Sequence, residues 1–144
     1  MRTLYSVAGS VFFLDQITKF LAVEFLKPRV SMPVIPNIFH LSFVENKGIA
    51  FGLFQGRSEF WVVVISASVV VLLSISWFFK DQTFPKKLAF GFVLGGAIGN
   101  CADRLHVGHV IDFLDFRIWP VFNLADSFIT IGVALFIWFT LRGR

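Results

Sequence analysis

The chain of 144 residues is far more apolar than a soluble domain, with 56% hydrophobic residues, 15% charged residues and a mean hydropathy of +0.77. Soluble domains carry roughly 25% charged residues, so this composition excludes a soluble fold and indicates an integral membrane protein. The net charge of +4 follows from membrane topology and does not favour a nucleic-acid partner. With no internal repeat, the length predicts a single domain over residues 1–144.

Four segments meet or approach the roughly 20 apolar residues of a membrane-spanning helix. In chain order they cover about 4–23, 60–79, 84–103 and 124–141. The first contains charged residues and lacks a small-residue cleavage site, so it is interpreted as a retained helix and not as a removable signal peptide. The glycines of the third fit close helix packing or close approach of a substrate.

The segment between the first two helices, about 28–58, predicts a small β element. Its sequence "IFHLSFV" places Phe39, Leu41 and Phe43 in alternation with polar residues, and this period of two is typical of a strand at 38–44. Residues 104–122 form a second loop on the same side. The predicted fold is a mainly α membrane protein with four transmembrane helices and a small extracytoplasmic β-sheet element between helices 1 and 2.

Basic residues are distributed unequally between the two sides. One side carries a single acid, Asp81, and six basic residues in short segments: Arg2, Lys80, Lys86, Lys87, Arg142 and Arg144. On the other side, basic residues are spread over long loops and balanced by acids. The positive-inside rule therefore predicts that both termini are cytoplasmic. The single Cys101 is interpreted as a packing residue.

Polar residues gather at the predicted outer ends of the helices. Asp15 and Lys19 are four residues apart on one helix face, where a structural ion pair is as good an interpretation as a direct role. Further along the chain stand Asn100, Asp103, Arg104, Asp112, Asp115, Asn123 and Asp126. Asn123 and Asp126 also predict an N-terminal cap for the fourth helix.

Two carboxylates held close together in an apolar site share one proton, so one can act as an acid while the other takes a proton from water. Asp126 lies in the first turn of a predicted helix, where the helix dipole favours a negative charge. Asp112 lies among apolar neighbours in the sequence, where desolvation favours the protonated form. Spacing alone does not select Asp112 over Asp115 or Asp103.

Five motifs occur in order along the chain: "DQITK", "NKGIAFG", "GGAIGNCADR", "VIDF" and "FNLADS". Together, on a four-helix topology, they resemble the bacterial lipoprotein signal peptidases, the type II signal peptidases, which are aspartic membrane proteases. The resemblance covers nearly the whole chain.

The resemblance implies a catalytic dyad of Asp112 and Asp126 and leaves Asp115 outside it. Ile49 stands where the family usually has alanine, which bears on the shape of the substrate groove. The residues implied to bind substrate or support the dyad are Asp15, Lys19, Asn46, Gly48, Ala50, Phe51, Asn100, Asp103, Arg104 and Asn123.

The implied activity is cleavage of diacylglyceryl-modified prolipoproteins on the amino side of the lipidated cysteine. The implied location is the bacterial inner membrane, with the active site at the periplasmic boundary of the outer leaflet. We expect a monomer, in contact with membrane lipid, that needs no cofactor or metal.

Two alternatives remain open at the level of sequence. The first is a metalloenzyme. Four potential ligands recur every three residues and would lie on one face if the segment were helical: Asp103, His106, His109 and Asp112. A proton-coupled transporter would also place Asp and Lys in membrane helices, although its acids would trace a path through the midplane.

Overall fold

The computed structural model describes residues 1–48 and 58–142. Within these residues the helices are α1 (Arg2–Leu26), α2 (Ser58–Ser76), α3 (Phe84–Val107) and α4 (Leu124–Arg142), and the strands are β1 (Ser31–Ile35), β2 (Phe39–Asn46) and β3 (Val110–Asp115). A 3-10 turn at Trp77–Phe79 continues α2. The four predicted helices are confirmed, and α3 continues one turn beyond its predicted end, to Gly108 in the left-handed conformation.

The helix α3 lies at the centre of the bundle, in contact with α1, α2 and α4. The buried positions of α1 recur every three or four residues and form one face toward α3: Leu4, Ala8, Val11, Asp15, Lys19, Ala22 and Leu26. Other faces of the helices expose large apolar side chains, such as Val70 and Ile137. Such faces are stable against lipid and not against water, as expected for a multi-pass membrane protein.

Three described helical segments are long and apolar enough to cross a membrane: Arg2–Leu26, Val62–Phe79 and Leu124–Arg142. The central helix α3 has 24 residues and is therefore about 36 Å long. Its apolar stretch is flanked by Lys86 and Lys87 at one end and by Asp103 and Arg104 at the other. These charges make α3 less apolar than the outer three helices.

Glycines allow α3 to pack closely against its neighbours. A Cβ atom on Gly95 would lie 2.5 Å from the carbonyl oxygen of Ala8 in α1, and one on Gly96 would lie 2.6 Å from that of Ala125 in α4. No side chain fits at these distances. The close approach of helix backbones therefore accounts for these two glycines.

We expect Gly96→Ala to lower the free energy of unfolding by roughly 1–3 kcal/mol, because the added methyl group must push α4 away from α3. Gly9 is the matched control, since a Cβ atom there meets nothing within 4 Å. Gly9→Ala should leave stability unchanged or raise it by up to about 1 kcal/mol. Unfolding measured in a single detergent would test both changes, and equal effects would contradict the packing argument.

The three strands form one antiparallel sheet in the order β1-β2-β3. The predicted strand at 38–44 is confirmed as β2. The third strand lies within residues 104–122, where the sequence predicted only a loop, and it pairs Asp112 with Val44 and Asp115 with His40. Because β3 is buried along most of its length, its sequence lacks the alternation that identifies a half-exposed strand.

The sheet rests on the outer end of α1. Ala22 and Leu26 of α1 form a small apolar core with Phe113 of β3, and Leu41 of β2 packs against it. This contact holds β3 beside the ends of α3 and α4. It thereby brings Asp112, on the strand, close to polar side chains on three helices.

Candidate active site

The polar residues predicted from the sequence converge where α1, α3, β3 and the start of α4 meet. Most of them are buried, and Asn123 is fully inaccessible to solvent. Among the described residues, the buried ionisable side chains are Asp15, Lys19, Asp103, Arg104, Asp112 and Asp115. They do not continue as a path along the bundle, which was the pattern expected of a transporter.

Asp112 and Asp126 are joined through one residue, Asn123. The side-chain Nδ2 of Asn123 donates a hydrogen bond to Asp112 Oδ1 at 2.7 Å, and its backbone N–H donates to Asp126 Oδ2 at 3.4 Å. Two acids that are 14 residues apart in the sequence are therefore neighbours in space. The two carboxyl groups interact electrostatically, and Asn123 bridges them.

The start of α4 holds Asp126 in place through a reciprocal cap. The backbone N–H of Asp126 donates to Asn123 Oδ1 at 2.9 Å, while Asp126 Oδ2 accepts from the backbone of Asn123. This is the predicted capping arrangement, and it is confirmed. Asp126 thus lies in the first turn of α4, at the positive end of the helix dipole.

Asp112 is buried, with 2% of its surface exposed. Burial raises the pKa of Asp112 to about 7, and the nearby Asp126 contributes to the rise. Hydrogen bonds from Asn46 and Asn123 act in the opposite direction without cancelling it. Near neutral pH, a substantial fraction of Asp112 is therefore protonated and able to act as an acid.

Asp115 has a separate environment although it lies on the same strand. Its carboxylate accepts hydrogen bonds from Ser42 Oγ at 2.8 Å and from the backbone N–H of Arg117 at 2.9 Å. Burial acts to raise the pKa of Asp115, but these hydrogen bonds and the charge of Arg117 outweigh it and hold that pKa below its usual value. Asp115 is therefore an ionised group that stabilises the sheet and the turn after it.

Lys19 forms the centre of a buried ion cluster. Its Nζ lies 2.8 Å from Asp15 Oδ2 and 2.8 Å from Asp103 Oδ2. The predicted pair of Asp15 and Lys19 is confirmed, and Asp103 is a further partner. Gln16 was not singled out from the sequence, yet its Nε2 donates to Asp103 Oδ1 at 2.9 Å. Its place in the motif "DQITK", next to Asp15, was the available signal.

Arg104 connects α3 to the segment that follows β2. Its Nη2 donates to the carbonyl oxygen of Gly48 at 3.0 Å, and Asn46 Nδ2 donates to Asp112 Oδ2 at 2.9 Å. Asn46 and Gly48 therefore lie beside the buried polar groups of the site. The predicted site residues Ala50 and Phe51 lie outside the described residues, as does Ile49.

The four potential metal ligands do not form a stripe. Helix α3 ends at Val107, and the left-handed Gly108 redirects the chain. His109 then faces Glu45, with Nε2 3.8 Å from Oε1, whereas Asp103 faces Lys19. In residues 1–48 and 58–142, no group of three or more His, Cys, Asp or Glu side chains is arranged to hold a metal ion.

The sequence has well-defined relatives. The family model described as Signal peptidase (SPase) II matches residues 7–142. The chain belongs to the signal peptidase II family. A lipoprotein signal peptidase of Halothermothrix orenii is 45% identical over 134 residues, covering 93% of this chain and 92% of that protein. One of Caldanaerobacter subterraneus is 44% identical, covering 90% and 89%.

Solved structures agree with the fold of this signal peptidase II family member. One bacterial membrane enzyme superimposes with a TM-score of 0.85 at 32% identity, covering 99% of this chain and 89% of the other. A second gives a TM-score of 0.83 at 32% identity, covering 100% and 96%. The protein is thus a membrane aspartic protease of this family, and its polar network lies where helices and sheet meet.

Proposed function

We propose that the protein removes signal peptides from diacylglyceryl-modified prolipoproteins, cutting on the amino side of the lipidated cysteine. Asp112 and Asp126 are the proposed catalytic pair. The observation that carries the proposal is the double contact of Asn123, which donates to Asp112 through its side chain and to Asp126 through its backbone. Family membership supports the substrate class, since the matched relatives are lipoprotein signal peptidases.

In the proposed reaction, ionised Asp126 accepts a proton from water while the water oxygen bonds to the scissile carbonyl carbon. Protonated Asp112 gives its proton to the carbonyl oxygen, so no full negative charge develops there. When the intermediate collapses, the C–N bond breaks, the new amine takes the proton held by Asp126, and Asp112 recovers its own. The pair returns to its starting state without a cofactor.

The remaining predicted residues support this pair in the proposal. Asn46 and Asn123 orient Asp112, Asn100 orients Asp126, and Arg104 holds the segment at Gly48 against α3. Asp15, Lys19 and Asp103 form the ion cluster beneath them. Ala50 and Phe51 are proposed to contact substrate on the basis of the family motif alone.

We propose that the site faces the outer leaflet of the bacterial inner membrane and that both termini are cytoplasmic. Lys80 and Arg142, at the opposite end of the bundle from the site, lie over the rings of Trp77 and Trp138, at 5.3 and 5.0 Å from the ring centroids. Such basic and aromatic pairs are typical of a cytoplasmic membrane interface. The proposed working unit is one monomer made of a single domain, since one copy supplies both acids.

The proposal predicts a bell-shaped pH profile for cleavage, because one acid must be charged and its partner protonated. Activity should fall on the acidic side when the base is protonated. It should fall again at higher pH, when the pair loses the proton that serves as the acid, and the burial of Asp112 should place this limb well above the usual pKa range of an aspartate. Single-turnover cleavage across pH, in one lipid and with folding checked at each point, would test this. A rise to a plateau without an upper limb would contradict a shared proton.

Cleavage should also survive exhaustive chelation, because the proposed pair activates water without a metal. His106→Ala and His109→Ala should stay within about threefold of native activity, since general acid-base roles are worth far more than that. Turnover measured before and after a chelator, and after added zinc, would test this. Loss on chelation with recovery on zinc would identify a metalloenzyme instead.

A further inference from the structure

The ammonium group of Lys19 uses its full hydrogen-bonding capacity inside the protein. It lies 2.8 Å from Asp15, 2.8 Å from Asp103 and 2.9 Å from Asn100 Oδ1, and 2% of the side chain is exposed. Three donors thus meet three acceptors. Two of the acceptors are carboxylates that together more than balance its charge. The third is the neutral amide of Asn100, which in turn contacts Asp126.

The amide of Asn100 has one possible orientation. Its Oδ1 accepts from Lys19 Nζ at 2.9 Å and from Asn123 Nδ2 at 3.1 Å. A flipped amide would turn its NH₂ group toward these two donors, which have no lone pair to offer. The Nδ2 atom of Asn100 must therefore face Asp126, where it donates to Oδ1 at 2.7 Å.

We propose that Lys19 is a positioning residue that acts on Asp126 through Asn100 and favours the ionised form of that acid. Hydrogen bonds in a chain polarise one another, and a bond to an ionised acceptor is stronger than one to a neutral acceptor. A buried ammonium on the oxygen of Asn100 therefore strengthens the donation of its N–H to Asp126. The inference rests on the proposed function, and it assigns the base and the acid separately within the pair.

A second connection runs from the same cluster to the backbone that carries Asp126. Asp15 Oδ1 accepts from the backbone N–H of Ala125 at 2.9 Å, and this ties the first turn of α4 to α1. Two charged or titratable groups interact electrostatically with Asp126: Arg104 on α3 and Asp112 on β3. Asp15 and Lys19 on α1 reach it through Ala125 and Asn100, and Asp103 on α3 is paired with Lys19. Arg104 is the other buried cation, and it contacts the backbone oxygens of Asn100 and Gly48.

The test is the pH at which cleavage falls on the acidic side of the bell-shaped profile, here called the acidic limb. Asn100→Ala removes the connection while leaving the pairs of Lys19 with Asp15 and Asp103 in place. We expect the acidic limb to move to higher pH by roughly half to one unit, since an opposite charge near an acid favours its ionised form by about one to three units on direct contact. Asn100→Asp, which retains an acceptor for Lys19 but not the donor to Asp126, should move it in the same direction.

Lys19 itself is best removed together with the charge of Asp103, so that the net charge of the cluster is kept. The double variant Lys19→Met with Asp103→Asn should shift the acidic limb upward relative to native protein, whose cluster has the same net charge. When Asn100→Ala is also present, adding the changes at Lys19 and Asp103 should shift the acidic limb much less. Lys27→Met, directly after α1, is the matched control, because Lys27 is 59% exposed and pairs with Glu45. This change should leave the profile unchanged.

A purely structural role for Lys19 would lower the amount of folded enzyme without moving the limb. The inference is overturned if Asn100→Ala leaves the limb in place, or if the effect of Lys19 is undiminished without Asn100. Should the Lys19→Met double variant fail to fold, Lys19→Gln with Asp103→Asn replaces it, because glutamine keeps a neutral donor at this position. The Asn100 variants alone do not suffice, since they also remove the direct bond from Asn100 to Asp126. Failure of the proposed function would look different, since native protein would then lack a bell-shaped profile altogether.

Discussion

Asp112→Asn and Asp126→Asn are each expected to lower the rate of prolipoprotein cleavage by about a thousandfold or more, while the protein stays folded in the membrane. An amide can neither take a proton from water nor deliver one to the substrate, and general acid-base groups contribute up to about 10⁴-fold. The measurement is single-turnover cleavage of a diacylglyceryl-modified substrate at saturating enzyme. Near-native turnover by either variant would remove that acid from the dyad.

Asp115→Asn is the matched control for these changes. It lies three residues from Asp112 on the same strand and is also buried, but its partners are Ser42 and Arg117. The change weakens hydrogen bonds in the sheet, so a loss of stability of about 1 kcal/mol is expected. Cleavage by the folded fraction should stay within a fewfold of native, and a loss as large as that of Asp112→Asn would implicate Asp115 in the chemistry.

Asn123→Asp is expected to lower cleavage by about a hundredfold with little loss of stability. Aspartate caps a helix as well as asparagine does, so the bond from the backbone of Asp126 survives. The donor bonds to Asp112 and Asn100 do not, because an ionised carboxylate only accepts. A third acid beside the dyad also competes for its proton.

Two further variants separate the roles of Asn123. Asn123→Ser retains a cap and adds no charge, so it should be the more active of the two polar replacements. Asn123→Ala removes the cap as well and should cost about 1 kcal/mol of stability in addition. Unfolding and single-turnover cleavage measured on the same samples would distinguish these outcomes. If Asn123→Asp were as active as native protein, the side-chain donation to Asp112 would have no catalytic role.

Features that depend on local composition and spacing could be predicted from the sequence. Long apolar segments predict the helices because a bilayer requires about 20 apolar residues regardless of what lies beside them. The pair of Asp15 and Lys19 and the cap formed by Asn123 and Asp126 span four and three residues, so helical geometry alone brings each pair together. The five family motifs add the identity of the expected dyad.

Which acids lie close together depends on how distant elements pack, and the sequence could not predict this. Spacing could not separate Asp112 from Asp103 or Asp115, because their distances from Asp126 depend on how a strand packs against three helices. The strand β3 is buried along most of its length and gives no periodic signal, yet it is what turns Asp112 toward Asn123 and Asp115 toward Ser42. The connection from Lys19 through Asn100 to Asp126 joins residues more than a hundred positions apart, and only the packing of α1, α3 and α4 creates it.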